Sequence, residues 1–560
     1  MDAVSDPNVR EVWLMKSAQV GATEIINNIL GYHIHQDPAP ILLVQPTLEM
    51  AEAWSKDRLA PMLRDTPALR DKVADPKARD SGNTLLHKRF AGGHVTVAGA
   101  NSAAGLASRP IRIVLFDEVD RYPPSAGTEG DPVSLGRKRT TTFWNRKVVA
   151  VSTPTIKGMS RIESGFDNGD QRFYEVPCPH CETFQRLVWA QVRWEDGQPD
   201  TAKYVCAHCA AVIPDTQKGE MLQAGRWVAS KPANGIASFH ISELYSPWST
   251  WAEMARSFLE AKRLPETLQT WINTALGETW EDSGDSVKAE GLLARREAYT
   301  DASLPAGVLM LTRGTDVQDD RLESTLWGWG RDGEAWRIRH DVVRGDPGQP
   351  DVWRDHDELL RVRYRTDDGR ELTCEATAVD SGGHFTEQVY NYAASRKGLR
   401  VWAIKGTPGP RPAWPAKPSR GGKRRVPVFS IGVDTIKDVV AGRLRRVTEA
   451  GPGFLHMDST VDEVAVEQLA SEVQVYAVVK GRKVRIWRPR RSGIRNEQFD
   501  CLVYAYAAMV GRGGQALVDR RTVESPAEVE EPEPQPAAEP QPIIRRPPPR
   551  RSGGWVNSWR

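Results

Sequence analysis

The 560-residue chain has no run of about 18 apolar residues, so nothing in it reads as a membrane-spanning helix. Its opening, Met1-Asp2-Ala3-Val4-Ser5-Asp6, lacks the basic and then apolar build of a signal peptide. Both absences point to a protein that stays in the cytoplasm where it is made. Net charge is nearly absent too: 75 Lys and Arg stand against 73 Asp and Glu, leaving +2. Bulk charge therefore selects no partner. Only local runs are dense enough to meet phosphate, at Arg420 to Arg425 (RGGKRR) and Lys483 to Arg495 (KVRIWRPRRSGIR), and for each a solvated surface is the plain alternative. Cysteine is scarce, six in all, and four of the six form two C-x-x-C pairs. In a cytosolic chain that pattern favours metal binding over a disulfide framework. Cys374 and Cys501 sit in apolar stretches and read as buried thiols.

What is present fits an ordinary globular protein of two to four domains, with 40% apolar and 26% charged residues. Residues 1–165 alternate apolar runs with helical spacing, as in a parallel α/β sheet. Strands are expected at Glu11 to Met15, Ile41 to Gln45, His94 to Ala98, Ile111 to Phe116 and Lys147 to Ser152, with helices over Thr23 to His33 and Leu48 to Leu63. Residues 166–232 turn to cysteine pairs, Trp and short strands, as in a zinc ribbon. Residues 233–305 read as mostly helical, 306–512 as a second strand-rich domain, and 513–560 as a disordered tail of Pro, Glu and Arg.

The first expected strand runs into Lys16-Ser17-Ala18-Gln19-Val20-Gly21-Ala22-Thr23 and then a helix. A loop so placed presents backbone N–H groups and a helix N-terminus to phosphate. Against G-x-x-x-x-G-K-[ST], Gly21 and Thr23 fit, but Ala22 takes the lysine position and Lys16 the first glycine position. Alone, this is a failed match and a plain strand-turn-helix. Two further motifs change the weight. Ile111 to Phe116 ends in Asp117-Glu118, suited to an Asp that holds Mg²⁺ and a Glu that polarises the attacking water. Lys147 to Val151 ends in Ser152-Thr153-Pro154, which adds hydroxyls. Three motifs in order, each at a strand end, point to ATP binding.

Cys178-Pro179-His180-Cys181 and Cys206-Ala207-His208-Cys209, 24 residues apart, supply four thiolates for a closed tetrahedral Zn²⁺ site. Four cysteines leave no open position for chemistry, so the site is structural, with His180 and His208 as spectators. In the last strand-rich region, Leu309 to Thr315 ends in Asp316, Ala376 to Val379 ends in Asp380, and Asn496-Glu497-Gln498-Phe499-Asp500 opens an apolar helix. Two strand acids and a late helix acid describe an RNase H-like nuclease that holds two divalent cations about 4 Å apart. Glu497, three residues before Asp500, is a candidate of lower weight, and so is Asp434, for which a helix N-cap is the better reading. Each acid alone serves equally well as a turn or capping residue.

K-S-A-Q-V-G-x-T-E, R-P-I-R-x-x-x-x-D-E-V-D-R-Y-P and S-T-P-T resemble the large terminase subunits of tailed phages, the lambda-like GpA family. D-V-Q-x-x-R-L-E, A-V-D-S-G-G and N-E-x-x-D-C-x-V-Y-A extend the resemblance to about residue 512. It implies a P-loop ATPase core, a zinc ribbon and an RNase H-like nuclease, with Lys16 doing the phosphate work and Ser152-Thr153 coupling hydrolysis to movement. It implies ATP, Mg²⁺ or Mn²⁺, and Zn²⁺ as cofactors. The partners it implies are double-stranded viral DNA, a terminase small subunit, the portal protein and further copies of the chain, all in the host cytoplasm and outside the finished virion. Two alternatives stay open on the residues themselves. One is another P-loop DNA motor such as a helicase. The other is a zinc-containing DNA-binding assembly protein with decayed sites, for which Ala22 is the best support.

Overall fold

The computed structural model describes residues 1–73, 83–107, 109–281, 287, 289–479, 482–491 and 493–524. The apolar runs near the N-terminus pair in parallel. Strands Ile236–Ile241, Glu11–Lys16, Lys147–Ser152, Ile113–Asp117, Pro40–Gln45 and Gly93–Gly99 lie side by side in that order within a ten-stranded sheet. Helices cover both faces, so the central strands are buried along nearly their whole length and read as continuous rather than alternating apolar stretches. Helix Ala22–His35 lays Ile26, Ile29, Leu30 and Ile34 against one face, an i, i+3, i+4, i+8 stripe. Ile162 and Phe166 of helix Arg161–Asn168 cover the other.

Two expectations fail here for identifiable reasons. Ile236–Ile241 falls where helix was expected, yet it pairs in parallel with Glu11–Lys16 along six residues. Six residues are too few for periodicity to separate strand from helix. The ribbon region is also not a separate insertion from 166 to 232. Its outer strands Arg172–Pro177 and Arg226–Ala229 extend the main sheet, and only the small sheet of Val192–Glu195, Gln198–Val205 and Val212–Ile213 stands apart. The expected helix Leu48 to Leu63 is present but passes through a π-turn at Ser55–Leu59.

A nine-stranded sheet follows. Met310–Val317, Arg321–Trp329 and Ala335–Arg344 form an antiparallel meander, and Glu371–Asp380 and Val401–Thr407 then add in parallel beside the first of them. This is the RNase H-like strand order. Helix Glu497–Arg512 lies directly on the first strand. A Cβ at Gly314 would stand 2.0 Å from the Cys501 carbonyl oxygen, so only glycine admits the helix backbone there. Thr312 Oγ1 donates to the Ala505 carbonyl at 2.7 Å and pins the contact. The expected tail starts too early: Gln515–Glu524 is a helix, because Val518 is buried and Arg521 pairs with Glu375. The remainder of that expected tail, from residue 525, lies outside the described residues.

One connection spans the two sheets. Helix Pro265–Trp271 continues into a π-turn, Ile272–Leu276. At its far end the Thr274 carbonyl accepts from the Ala18 N–H at 2.7 Å. At its near end Glu266 accepts from Arg443 Nε at 3.0 Å, on helix Val433–Arg446 of the second sheet. Among the described residues, no helix is long and apolar enough to cross a membrane.

Candidate active sites and metal centre

The parallel strands deliver the three expected motifs to one edge. Lys16, Ser152 and Asp117 are the last residues of neighbouring strands. Lys16 Nζ reaches past the middle strand to Glu118 Oε1 at 2.7 Å, with both side chains largely buried. Ser152 Oγ and Thr153 Oγ1 approach the other carboxylate oxygen at 3.4 and 3.3 Å. Glu118 is held in the left-handed region, φ 53°, which turns it back over the strand ends. Asp117 accepts from Gln45 Nε2 at 2.9 Å, and burial pushes its carboxyl above the usual range. Gln45 was not singled out by sequence, although its polarity at the end of a five-residue apolar run was a visible signal.

The loop between Lys16 and the helix turns sharply and leaves several backbone N–H groups open. Gly21, φ 78°, precedes helix Ala22–His35 and turns the chain into it. The N–H groups of Ser17 and Ala18 are bonded to the carbonyls of Ile241 and Thr274. That of Val20 closes a turn on Ser17, those of Gln19, Gly21, Ala22 and Thr23 have no protein acceptor among the described residues, and the Ser17 hydroxyl is buried without a partner. Free N–H groups at a helix N-terminus are what phosphate oxygens accept from. Ala22 is the first residue of the helix, and the lysine beside this loop is Lys16.

The two cysteine pairs meet. A tetrahedral ion about 2.3 Å from each sulfur sets neighbouring sulfurs about 3.8 Å apart. Cys178 and Cys209 Sγ are 3.8 Å apart, Cys181 and Cys206 Sγ 3.9 Å, and all four lie within 4.8 Å of one another. Each pair sits in the same turn: the His180 N–H points at Cys178 Sγ and the His208 N–H at Cys206 Sγ, both at 3.4 Å. Buried Gln185 donates to Cys206 Sγ and accepts from the Ala207 N–H, which fixes the second turn.

In the second sheet, parallel register brings Thr315 opposite Val379, so Asp316, one residue from the end of its strand, lies beside Asp380 at the end of the next. The docked helix adds Asp500 from its first turn. Burial, then the charges of Asp500 and Asp380, push Asp316 up to about 8. Burial also raises Asp380, and it raises Asp500 to about 6, where Lys437 pulls the other way. Buried Asp316 and half-buried Asp380 and Asp500 thus feel one another's charge, an excess of negative charge of the kind that divalent cations offset, although among the described residues only the four cysteines bring their ligand atoms within 4.8 Å of one another. Glu497 is otherwise occupied, accepting from Arg321 Nη2 at 2.8 Å and Arg495 Nε at 3.1 Å. Asp434 is elsewhere: it accepts from the Gly409 N–H at 2.6 Å, and Gly432 is the N-cap.

Two participants were missed. Lys437 Nζ contacts both oxygens of Glu472 at 2.8 Å and Asp500 Oδ1 at 3.4 Å, and Asn496 Nδ2 bridges Asp500 and Glu472. Lys437 shares a helix face with buried Val440, Ala441 and Leu444, and a lysine in such a stripe was a legible signal. Glu472 had none.

Raised carboxyl values carry a stability consequence. Asp316 folds with its proton affinity above the unfolded value, so its contribution is most favourable in acid and is lost as pH rises toward about 8. In chelator-treated protein at neutral pH, Asp316→Asn is expected to raise the melting temperature by several degrees, each pH unit above the unfolded value being worth up to about 1.4 kcal/mol. Calorimetry of the two proteins at pH 5 and 7.5 checks this, with the gap widening at the higher pH.

Residues 1–227 match the model of the phage terminase large subunit gpA ATPase domain, and residues 236–517 that of the gpA endonuclease domain. The chain belongs to the phage terminase large subunit gpA family. Two relatives, the terminase large subunits of Enterobacteria phage P21 and Escherichia phage lambda, are each 30% identical, over 545 and 543 residues, covering 91% of this chain and 84% of theirs. Among solved structures, the large terminase of the thermophilic bacteriophage D6E is 11% identical with a TM-score of 0.43, covering 90% of this chain and 93% of that one. The chain thus pairs an ATPase domain with an endonuclease domain, the two activities of packaging and cutting viral DNA, and ATP and divalent metal serve them. The helicase and decayed-protein alternatives are not favoured.

Proposed function

We propose that the first site hydrolyses ATP through Lys16, Asp117, Glu118 and the open N–H groups of the loop and first helical turn that follow Lys16, and that the second cuts DNA through Asp316, Asp380 and Asp500. The observation that carries the first assignment is the 2.7 Å contact of Lys16 with Glu118, which puts a cation and a carboxylate at one strand edge beside the loop. Lys16 serves as the phosphate-binding cation in place of Ala22. Moving toward phosphate, it releases Glu118 to orient water, with Ser152 and Thr153 as the hydroxyls left to hold that carboxylate. In the second site, bound divalent cations supply charge neutralisation and an activated nucleophile. Asp316, Asp380 and Asp500 hold them, while Lys437, Asn496 and Glu472 fix the orientation of Asp500. Incubating plasmid DNA with the protein in Mg²⁺ or Mn²⁺, beside a DNA-stimulated ATPase assay, tests both. A parent chain inactive in both assays sinks the assignment.

The partners follow from the kinship: double-stranded viral DNA, a small subunit, the portal and further copies of the chain, in the host cytoplasm. The four cysteines are assigned one structural Zn²⁺, on the strength of their 3.8 and 3.9 Å sulfur separations. Elemental analysis of freshly purified protein is expected to find about one zinc per chain. Cys206→Ser is expected to lose the metal and most of the soluble yield, because ion binding and local folding are coupled. Metal-free parent protein of normal yield counts against the site.

A further inference from the structure

Two cavities adjoin at the amino-terminal pole of the parallel sheet, the end opposite the phosphate loop. The larger, about 570 Å³, is lined by Asn8, Arg10, Arg137, Thr141, Arg146 and Asn234 among others. The smaller, about 150 Å³, shares Arg10 and Arg146 and adds Trp144. Arg137 is committed to Glu11 at 2.7 Å. Glu11 and Asp37 also line these openings but are paired with Arg137 and Arg112, and Arg10 and Arg146 have no carboxylate within salt-bridge distance among the described residues. Trp144 is 85% exposed, and no ring of the described residues packs against it. Unpaired arginines beside a bare indole form a surface suited to phosphate and to the flat apolar parts of a nucleotide. Their spread over two openings suits an extended chain of phosphates better than one small anion.

The position of these arginines adds a second argument. Arg10 immediately precedes strand Glu11–Lys16, and Arg146 immediately precedes strand Lys147–Ser152. The strands are neighbours in parallel, from Glu11 opposite Val148 to Met15 opposite Ser152. Each carries an unpaired arginine at one end and an ATP-site residue, Lys16 or Ser152, at the other, about 20 Å away. We propose that this pole binds the phosphodiester backbone of duplex DNA through Arg10 and Arg146, with Trp144 flanking the strand. DNA held there and ATP held at the far edge then act on the same two strands. The proposal rests on the DNA-packaging function and names the surface on the ATPase half that meets the duplex.

The test uses the full chain and a fluorescein-labelled duplex, titrated by anisotropy across a range of salt. Arg10→Ala with Arg146→Ala is expected to flatten the slope of log affinity against log salt by about 2, one unit per lost phosphate contact. Arg10→Lys with Arg146→Lys keeps the charge and the parental slope, which separates lost contacts from lost folding. Trp144→Ala lowers affinity severalfold with little change of slope. ATP turnover without DNA stays at the parental rate in the alanine double variant, while its stimulation by duplex falls. A slope unchanged in the double alanine variant overturns the proposal. If calorimetry shows that this variant has lost inorganic phosphate while its duplex slope is parental, the pole is a small-anion site and the DNA assignment fails. A parent chain that binds no duplex at all overturns the packaging function with it, and that result appears before any variant is compared.

Discussion

Asp316→Asn and Asp380→Asn are each expected to lower plasmid cleavage by about 10³-fold, across Mg²⁺ and Mn²⁺ titrations, with DNA-stimulated ATP turnover retained. Asn keeps the shape of Asp and removes the charge that offsets a dication, and a metal's stabilisation of developing charge is worth several kcal/mol. The two residues lie side by side at the ends of adjacent parallel strands, within one residue of each strand's last, so each loss is felt at the same place. The acids proposed for ATP hydrolysis, Asp117 and Glu118, stand at the edge of a different sheet, so that activity is expected to remain. A deficit confined to affinity would be rescued by raising the metal concentration. Cleavage at the parental rate by both variants would remove these strand ends from the nuclease.

Lys16→Ala is expected to reduce ATP hydrolysis to background, by about 10³-fold or more, while metal-dependent cleavage of DNA continues. Lys16 is the cation in contact with Glu118, and Ala22 offers no substitute at the usual position. Glu118→Gln is expected to behave differently. It keeps the loop and the lysine, so it binds ATP and fails to turn it over. Equilibrium binding of a fluorescent ATP analogue beside phosphate release separates the two: both variants lose turnover, and only the lysine variant loses affinity as well. Wild-type hydrolysis by Lys16→Ala would take that residue out of the mechanism.

The parts of this protein that were legible in sequence are those where a local pattern has one physical solution. Five buried parallel strands announced themselves as apolar runs because both faces are covered, and the acids at their ends followed from the chain turning there. Two C-x-x-C pairs constrain sulfur geometry so strongly that their meeting could be read across 24 intervening residues. Ile236–Ile241 was lost because it is short and its longest pairing is with Glu11–Lys16, more than 200 residues away. Lys437 and Glu472 were lost because they reach Asp500 only through tertiary packing, on elements whose own patterns say nothing of metal. Glu497 shows the converse: local spacing gave it a place beside Asp500, but Arg321, 176 residues away, and Arg495, two residues before it, bind it first.

The segment 265–276 bears on how such proteins can be recombined. Its π-turn carries the acceptor for the Ala18 N–H, and its first turn carries Glu266, the partner of Arg443. A chimaera spliced near residue 306, where the sequence changes character, keeps the phosphate loop with its own helix but gives Glu266 a foreign nuclease half. Unless the donor supplies an arginine in register with position 443, the hybrid has a half-buried acid with no guanidinium opposite it. Both enzymes could then be sound in isolation and still fail to work as one machine.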